Sequence, residues 1–309
     1  MQQLRLEEAL LRSTSRSWFV VGWEPRSGAE EDDGEGAADA ALPLPLAAKP
    51  TGDAPTSTDN NSQQQPTIVL GISGKPAELI DLPLCVGQPN QQPAAIRRFS
   101  GGGTVVVGPG AVLTSLIVSR EDLERRKVDP FPHPLMRWTA QVYARAFDEA
   151  ARGARRRGGS DDTPTSPPRL SLNENDYCFG DLKIAGNAQA ITGGRALHHT
   201  SFLWDWQEEH MRLLLSPKRQ PEYRRKRAHG AFLTRVREVF PEAFPRPQDL
   251  AVALEEAVVE EWGGEVEEAD PQELARALRG NHLPGNRWVD LRREALAAAA
   301  LAAATSGTT

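Results

Sequence analysis

Leu4, Leu6, Leu10 and Leu11 recur at helical spacing among Glu7, Glu8 and Arg12, so the chain opens on an amphipathic helix over residues 3–12. Trp18-Phe19-Val20-Val21 follows as a strand. The pattern then stops. Residues 26–66 pass from an acidic run to Ala/Pro and then to Thr/Ser/Asn/Gln with no period, a composition that cannot bury a core and predicts a disordered surface insertion. Order resumes at Thr67-Ile68-Val69-Leu70, a short buried strand closed by Gly71, with further strands expected at 95–98, 104–107 and 112–118. Leu135, Trp138, Val142 and Ala146 predict a helix over 134–151, and the polar stretch 152–168 reads as a second loop insertion. Strands are expected at 169–177, 182–190 and 196–206. Helices are expected at 229–239, 247–262 and 271–280, with an Ala-rich one at 288–304. This order implies an α+β class: a mixed sheet flanked by helices. Residues 1–240 are expected to form one domain carrying both insertions, and residues 241–309 a helical C-terminal extension. No internal repeat is present.

Composition narrows the function classes. Of 309 residues 39% are apolar, and none of the runs approaches the roughly 18 uninterrupted apolar residues of a membrane span. The net charge of −6 argues against a general nucleic-acid coat, so any basic site is local. Cys85 and Cys178 are the only cysteines, which excludes a disulfide framework and fits a reducing compartment. The six histidines fall into no zinc pattern. Acidic residues in the first helix fit neither a secretory signal nor a mitochondrial leader. The expectation is a soluble, intracellular, most simply cytoplasmic protein with no nucleic-acid or membrane partner.

The chemistry concentrates in two stretches. In Arg97-Arg98-Phe99-Ser100-Gly101-Gly102-Gly103-Thr104-Val105, three glycines give up the side chains a strand would pack. Bare N–H groups beside two guanidinium groups suit a phosphate chain, against the alternative of a flexible turn. Alternation along a strand turns Arg97 to the face opposite Arg98. Further on, Lys183 sits between Leu182 and Ile184 in a run leading to Gly186, a poor setting for a solvated surface lysine. Asn175-Asp176 reads equally as an Asx turn or as part of a site. A single His, as in His198-His199, is more often a satisfied core residue than a catalyst.

Arg97-Arg98-x-Ser100-Gly101-Gly102-Gly103-x-Val105, Asn175-Asp176, Lys183-Ile184-x-Gly186-x-Ala188-Gln189 and His198-His199 stand in an order that resembles the lipoate–protein ligase family. The opening run at residues 6–12 resembles that family's first helix. The likeness covers roughly residues 1–235 outside the insertions, and the catalytic fold is one shared with biotin ligases and lipoyl/octanoyl transferases. What the resemblance implies is ATP-dependent activation of lipoate, or octanoate, to an acyl-adenylate and transfer to a lysine of an acceptor domain. Acceptors of this kind are lipoyl domains of 2-oxoacid dehydrogenase E2 subunits and the glycine cleavage H protein.

Residue by residue, the resemblance assigns Lys183 to catalysis, its ammonium reaching the α-phosphate and the acyl carbonyl together. Arg98, Gly101, Gly102, Gly103, Thr104, Val105, Asn175 and Asp176 fall to the nucleotide, with Asp176 either holding Mg²⁺ or orienting Lys183. Gly186, Asn187, Ala188 and His199 fall to the acyl group. Where family members continue with an aromatic residue, His-Asp and later Gly-Asn, this chain has Val106, Val107, Gly108, Gly110 and Ala111, which implies weaker magnesium–pyrophosphate binding. Thr200-Ser201 stands for the family's Gly-Thr, and the last 70 residues are shorter than the bacterial accessory domain. The rival readings are a transferase using Cys178 as thiolate, with Cys85 in a Leu/Pro loop lacking basic neighbours, and a non-catalytic lipoyl-domain-binding relative. Arg224-Arg225-Lys226-Arg227 reads as a solvated helix face, or as a surface recognising acidic acceptor domains.

Overall fold

The computed structural model describes residues 2–24, 65–87, 92–157, 168–216, 221–225, 227, 229–264, 266–280 and 285–306. The insertion expected at 26–66 falls almost wholly outside them, as does most of the one expected at 152–168.

Helix α1 (Gln2–Ser13) leads into β1 (Trp18–Trp23), and β2 (Thr67–Leu70) follows. Two short helices come next, α2 (Pro76–Leu79) and α3 (Leu82–Val86). The second corrects the loop expected around Cys85: Asp81 caps it by accepting from the Leu84 N–H, and Pro83 stands in its first turn. Then come β3 (Ala94–Arg97), β4 (Gly101–Gly102), β5 (Val105–Val107) and β6 (Ala111–Val118), with the short α4 (Arg120–Arg125) and the long α5 (Pro132–Arg157) behind them. Helix α5 runs six residues into the segment expected to be a loop. The strand expected over 169–177 is a hairpin instead, β7 (Leu170–Asn173) and β8 (Asp176–Phe179), because the chain turns at Glu174 with φ +52°. Strands β9 (Leu182–Thr192) and β10 (Arg195–Leu203) complete the series, followed by the single-turn α6 (Glu208–Met211).

The helix expected over 229–239 breaks into α7 (His229–Phe232) and α8 (Val236–Val239). Between them Leu233 forms a bridge with Lys183, and the Thr234 N–H donates to the Lys183 carbonyl at 3.0 Å. Pairing with the β9 main chain thus replaces one turn of helix. Beyond lie α9 (Pro247–Glu261), α10 (Pro271–Leu278), β11 (Arg287–Trp288) and α11 (Leu291–Ser306).

The strands form two sheets. The larger has seven strands, in the order β1-β6-β10-β9-β8-β7 with β4 added on β9, and its pairs are antiparallel. The smaller runs β11-β3-β2-β5 and holds the parallel pair β2–β3. Alternation splits the larger sheet between two helix layers. Leu116, Ala196 and Phe202 face the aromatic core built with α5 and α9, including Tyr143, Phe147, Phe240 and Phe244. Ile117 and Leu197 face the opposite way, onto Leu6 and Leu10 of α1 and Leu274 of α10.

Residues beyond 240 are woven into this architecture. The buried Glu8 carboxylate accepts from the Gly285 N–H and from Asn286 Nδ2, both at 2.8 Å, while Asn286 Oδ1 accepts from the Phe99 N–H. One amide therefore ties α1 to the entrance of the glycine run. Among the described residues no helix is long and apolar enough to cross a membrane.

Candidate active site

The two chemistry-bearing stretches are hydrogen-bonded neighbours. Gly101 pairs with Gln189 and Gly102 with Ala188, so the glycine run becomes a strand on the edge of β9. Gly102 adopts φ +123°, and a Cβ there would stand 2.7 Å from both Arg98 Nη2 and the Asn187 carbonyl oxygen. At Gly71 a Cβ would meet the Gly102 carbonyl oxygen at 2.2 Å. The glycines are thus needed first for backbone approaching backbone. Gly103 differs: a Cβ there meets nothing within 4 Å among the described residues, so its α-carbon borders open space.

Arg98, expected as a phosphate clamp, holds main-chain carbonyls of the protein itself. Its guanidinium is buried, and its terminal nitrogens donate to the carbonyls of Gly103 (2.7 Å), Val69 (3.2 Å) and Gly101 (3.5 Å). It braces the glycine bend from within, and burial pulls its pKa down to about 10, with Glu7 acting in the other direction. Arg97 points to the other face and donates to the Gly74 carbonyl.

Lys183 and Asp176 are brought together across the β8–β9 pair, Nζ to Oδ1 at 2.6 Å. The second oxygen, Oδ2, accepts from the Tyr223 hydroxyl at 2.7 Å. Asp176 thus has a partner on each oxygen, one of them a cation, and no group of three or more His, Cys, Asp or Glu among the described residues could hold a metal ion. The Mg²⁺ expected at Asp176 would compete there with the Lys183 ammonium and the Tyr223 hydroxyl. These contacts fit the alternative, in which Asp176 orients Lys183. Asn175 contributes its carbonyl, which accepts from Asn187 Nδ2 at 3.0 Å. The Cys178 thiol is fully buried, and desolvation with the neighbouring Asp176 charge pushes its pKa up to about 11, against the thiolate that a transferase route needs.

The two histidines go to opposite faces, as strand alternation requires. His198 lies in the α5 layer, accepting at Nδ1 from Gln189 Nε2 (2.9 Å) and pairing through Nε2 with the Tyr177 hydroxyl (3.0 Å), which donates on to the Met136 carbonyl. This chain of bonds suits a neutral ring, and burial lowers its pKa from 6.5 to about 3, helped by His199. The unfolded imidazole takes up a proton below about pH 6.5 while the folded one refuses it down to about 3, so stability falls as pH falls through that window. Lowering pH from 7 to 5 should cost the wild type on the order of 2 kcal/mol through this group. Urea denaturation at both pH values checks it: His198→Gln should flatten the pH dependence, and an unchanged slope contradicts the assignment.

His199 faces α1. Its Nδ1 lies 2.9 Å from Glu7 Oε1 and 3.2 Å from Ser115 Oγ, and Ser115 Oγ itself donates to Glu7. Glu7 is fully buried and its Oε2 has no hydrogen-bond partner among the described residues. Glu7 and Ser115 were not singled out from the sequence. The available signal was that Glu7 lies three residues after Leu4 and four before Leu11, inside the apolar stripe of its helix.

His199 opens onto a cavity of about 350 Å³ between the two sheets, near the lower end of the roughly 300–1,000 Å³ usual for small-molecule sites. Leu4, Val69, Ile96, Val105, Val107 and Leu113 make an aliphatic wall, and Gly186, Asn187, Ala188, His199 and Ser201 face it. Val107 is part of the aliphatic wall. Arg98 also borders the cavity; Gly101, Gly102, Gly103, Thr104, Asn175, Asp176 and Lys183 lie outside its lining. The lysine stands at the Gly186 end, where a Cβ would come within 3.8 Å of Lys183 Nζ, 3.4 Å of Ser201 Oγ and 3.1 Å of Val105 Cγ1. Nearby in sequence, the Thr104 hydroxyl is buried without a hydrogen-bond partner among the described residues.

The model of the lipoyl protein ligase A/B catalytic domain matches residues 61–258, well over half of the chain. The chain belongs to this family. Among its relatives is the inactive lipoate–protein ligase 2 of Plasmodium falciparum, 27% identical over 194 residues, a match covering 55% of this chain and 47% of that protein. The chain therefore spans less than half the length of this curated relative. Two solved structures share the fold. Protein Ta0514 from T. acidophilum with bound lipoic acid has a TM-score of 0.54 at 14% identity, covering 90% of this chain and 87% of that one. Lipoate-protein ligase A bound with ATP has a TM-score of 0.53 at 16% identity, covering 89% and 86%. The expected resemblance and the α+β fold of sheets flanked by helices are both borne out.

Proposed function

We propose that this lipoyl-ligase-family chain activates a medium-chain acid of the lipoate or octanoate type with ATP and passes the acyl group to a lysine of a lipoyl-type acceptor domain. The observation that carries this reading is the position of the Lys183 ammonium at the Gly186 end of an aliphatic cavity, on the strand β9 with which the glycine run pairs. In the activation step the acid's carboxylate oxygen attacks the α-phosphorus and pyrophosphate leaves. In the transfer step the acceptor amine attacks the acyl carbonyl and AMP leaves. Negative charge builds first on the α-phosphoryl oxygens and then on the carbonyl oxygen, and one fixed ammonium serves both. The alkyl chain fits between Val105, Val107, Leu113 and the Gly186–Ala188 stretch, where small residues leave it room. The open space beside the Gly103 α-carbon and the Thr104 hydroxyl, without a partner among the described residues, mark where the nucleotide would approach. The relative that bears the name of an inactive ligase makes turnover the point to test.

Mass spectrometry of the full chain incubated with ATP, Mg²⁺ and either lipoate or octanoate tests it. A retained mass equal to the acyl-AMP is the expected result. Absence of any adenylate, together with no pyrophosphate release on either acid, overturns the activation step. Acceptor modification by the Cys178→Ala variant at the wild-type rate would exclude a thioester route, as the buried thiol suggests.

A further inference from the structure

In the basic run at residues 224–227, Arg224 and Arg227 are not part of a plain solvated face. Arg224 is 3% exposed, lies 4.4 Å over the Phe232 ring and donates through Nε to the Arg227 carbonyl at 2.9 Å. Arg227 returns a bond to the Arg224 carbonyl at 3.1 Å, and its Nη2 donates to the Tyr223 carbonyl (3.0 Å) and to the Asp181 carbonyl at the foot of β9 (2.9 Å). On the other side, the Glu222 N–H donates to Glu174 Oε1 at the β7–β8 turn. Only Arg225 of the described members is exposed, in a left-handed conformation with φ +49°. Charge reversal at Arg224 would therefore report on this packing, not on acceptor docking.

Two arginines thus clip a single helical turn, Glu222–Arg224, onto the β8–β9 hairpin, and what the clip presents is the Tyr223 hydroxyl on Asp176 Oδ2. We propose that Tyr223 is a positioning residue for Lys183, seated by Arg224 and Arg227 and acting through Asp176; this rests on Lys183 being the catalytic ammonium. A carboxylate free at both oxygens can turn both toward a neighbouring ammonium and occupy two of its three N–H donors. With Oδ2 held by Tyr223, Oδ1 alone meets Lys183, and two N–H groups remain for substrate oxygens. The same bond stops the carboxylate from rotating, which fixes the direction of the ammonium toward Gly186.

The test uses the full chain and Tyr223→Phe, which removes one oxygen atom. Steady-state pyrophosphate release should show a kcat about tenfold lower, the scale of one hydrogen bond to a charged group, with the KM for the acid within about twofold. A readout independent of turnover is the side-chain ¹⁵N-ammonium resonance of Lys183, assigned by its loss in Lys183→Arg. Tyr223→Phe should displace this resonance, whereas in an Asp176→Asn background it should leave it unmoved. Arg227→Ala, which loosens the clip without touching Asp176, should displace it in the same direction and serves if Tyr223→Phe does not fold. An unmoved resonance, or a wild-type kcat in Tyr223→Phe, overturns the proposal. Wild-type protein inactive on every acid would instead sink the ligase reading, and the resonance would then decide the positioning role alone.

Discussion

Lys183→Ala is expected to lower pyrophosphate release by about 10³-fold, the effect of losing a preorganised donor at the reacting charge. The loss should fall on kcat, because the acyl cavity is built by other residues and the lysine stands beyond its lining. Transfer from preformed acyl-adenylate to acceptor should fall as well, since in the proposed reaction the same ammonium serves the carbonyl in the second step. The variant leaves Asp176 without its cation, but Tyr223 still donates to Oδ2, so the carboxylate keeps one partner and the fold should persist. Rapid-quench measurement of both half-reactions decides the matter. A Lys183→Ala protein that releases pyrophosphate at the wild-type rate would remove the central assignment.

Gly102→Ala should destabilise the protein by about 3 kcal/mol, combining left-handed strain with contacts that backbone cannot yield cheaply. The added Cβ would press on the Asn187 carbonyl and on Arg98 Nη2, both at 2.7 Å. Relief requires prising β4 off β9, which separates the glycine run from the strand that carries Lys183. Gly103→Ala is the control one residue away: its Cβ meets nothing within 4 Å, so its stability should stay within about 0.5 kcal/mol of wild type. Urea denaturation of the two variants side by side provides the check. Equal stability of both would mean that the close approach at Gly102 is not a constraint on the fold.

The contrast between these neighbours shows how motif and geometry relate. Three consecutive glycines announce that backbone must come close to something, and a phosphate is the natural first thought. In the folded chain Gly102 is spent on β9 and Arg98, and Gly103 faces open space. Arg98 was legible as facing away from Arg97, but not as a brace for carbonyls, because its acceptors come from β2 and from the stretch that follows it.

Long periodic elements could be read directly. The stripes of α1 and α5 and the β-branched run of β6 each repeat over enough residues to outweigh local exceptions. Local chemistry that depends on a distant partner could not. The break at Leu233 exists because Lys183 offers a main-chain pair, and the turn at Glu174 exists because Asp176 must re-enter the sheet beside β9. Strand parity separated His198 from His199 in principle, yet which face held α1 with its buried Glu7 depended on packing.

Order of residues along the chain was enough to establish the family, the α+β class and the candidate lysine, since spacing and residue type are local properties. Assembly in three dimensions decided the rest: Asp176 as partner of the Lys183 ammonium, a tyrosine 47 residues away as its second partner, and Arg224 and Arg227 of the basic run turned onto the protein itself. A carboxylate has two oxygens, and only packing determines which groups reach each of them.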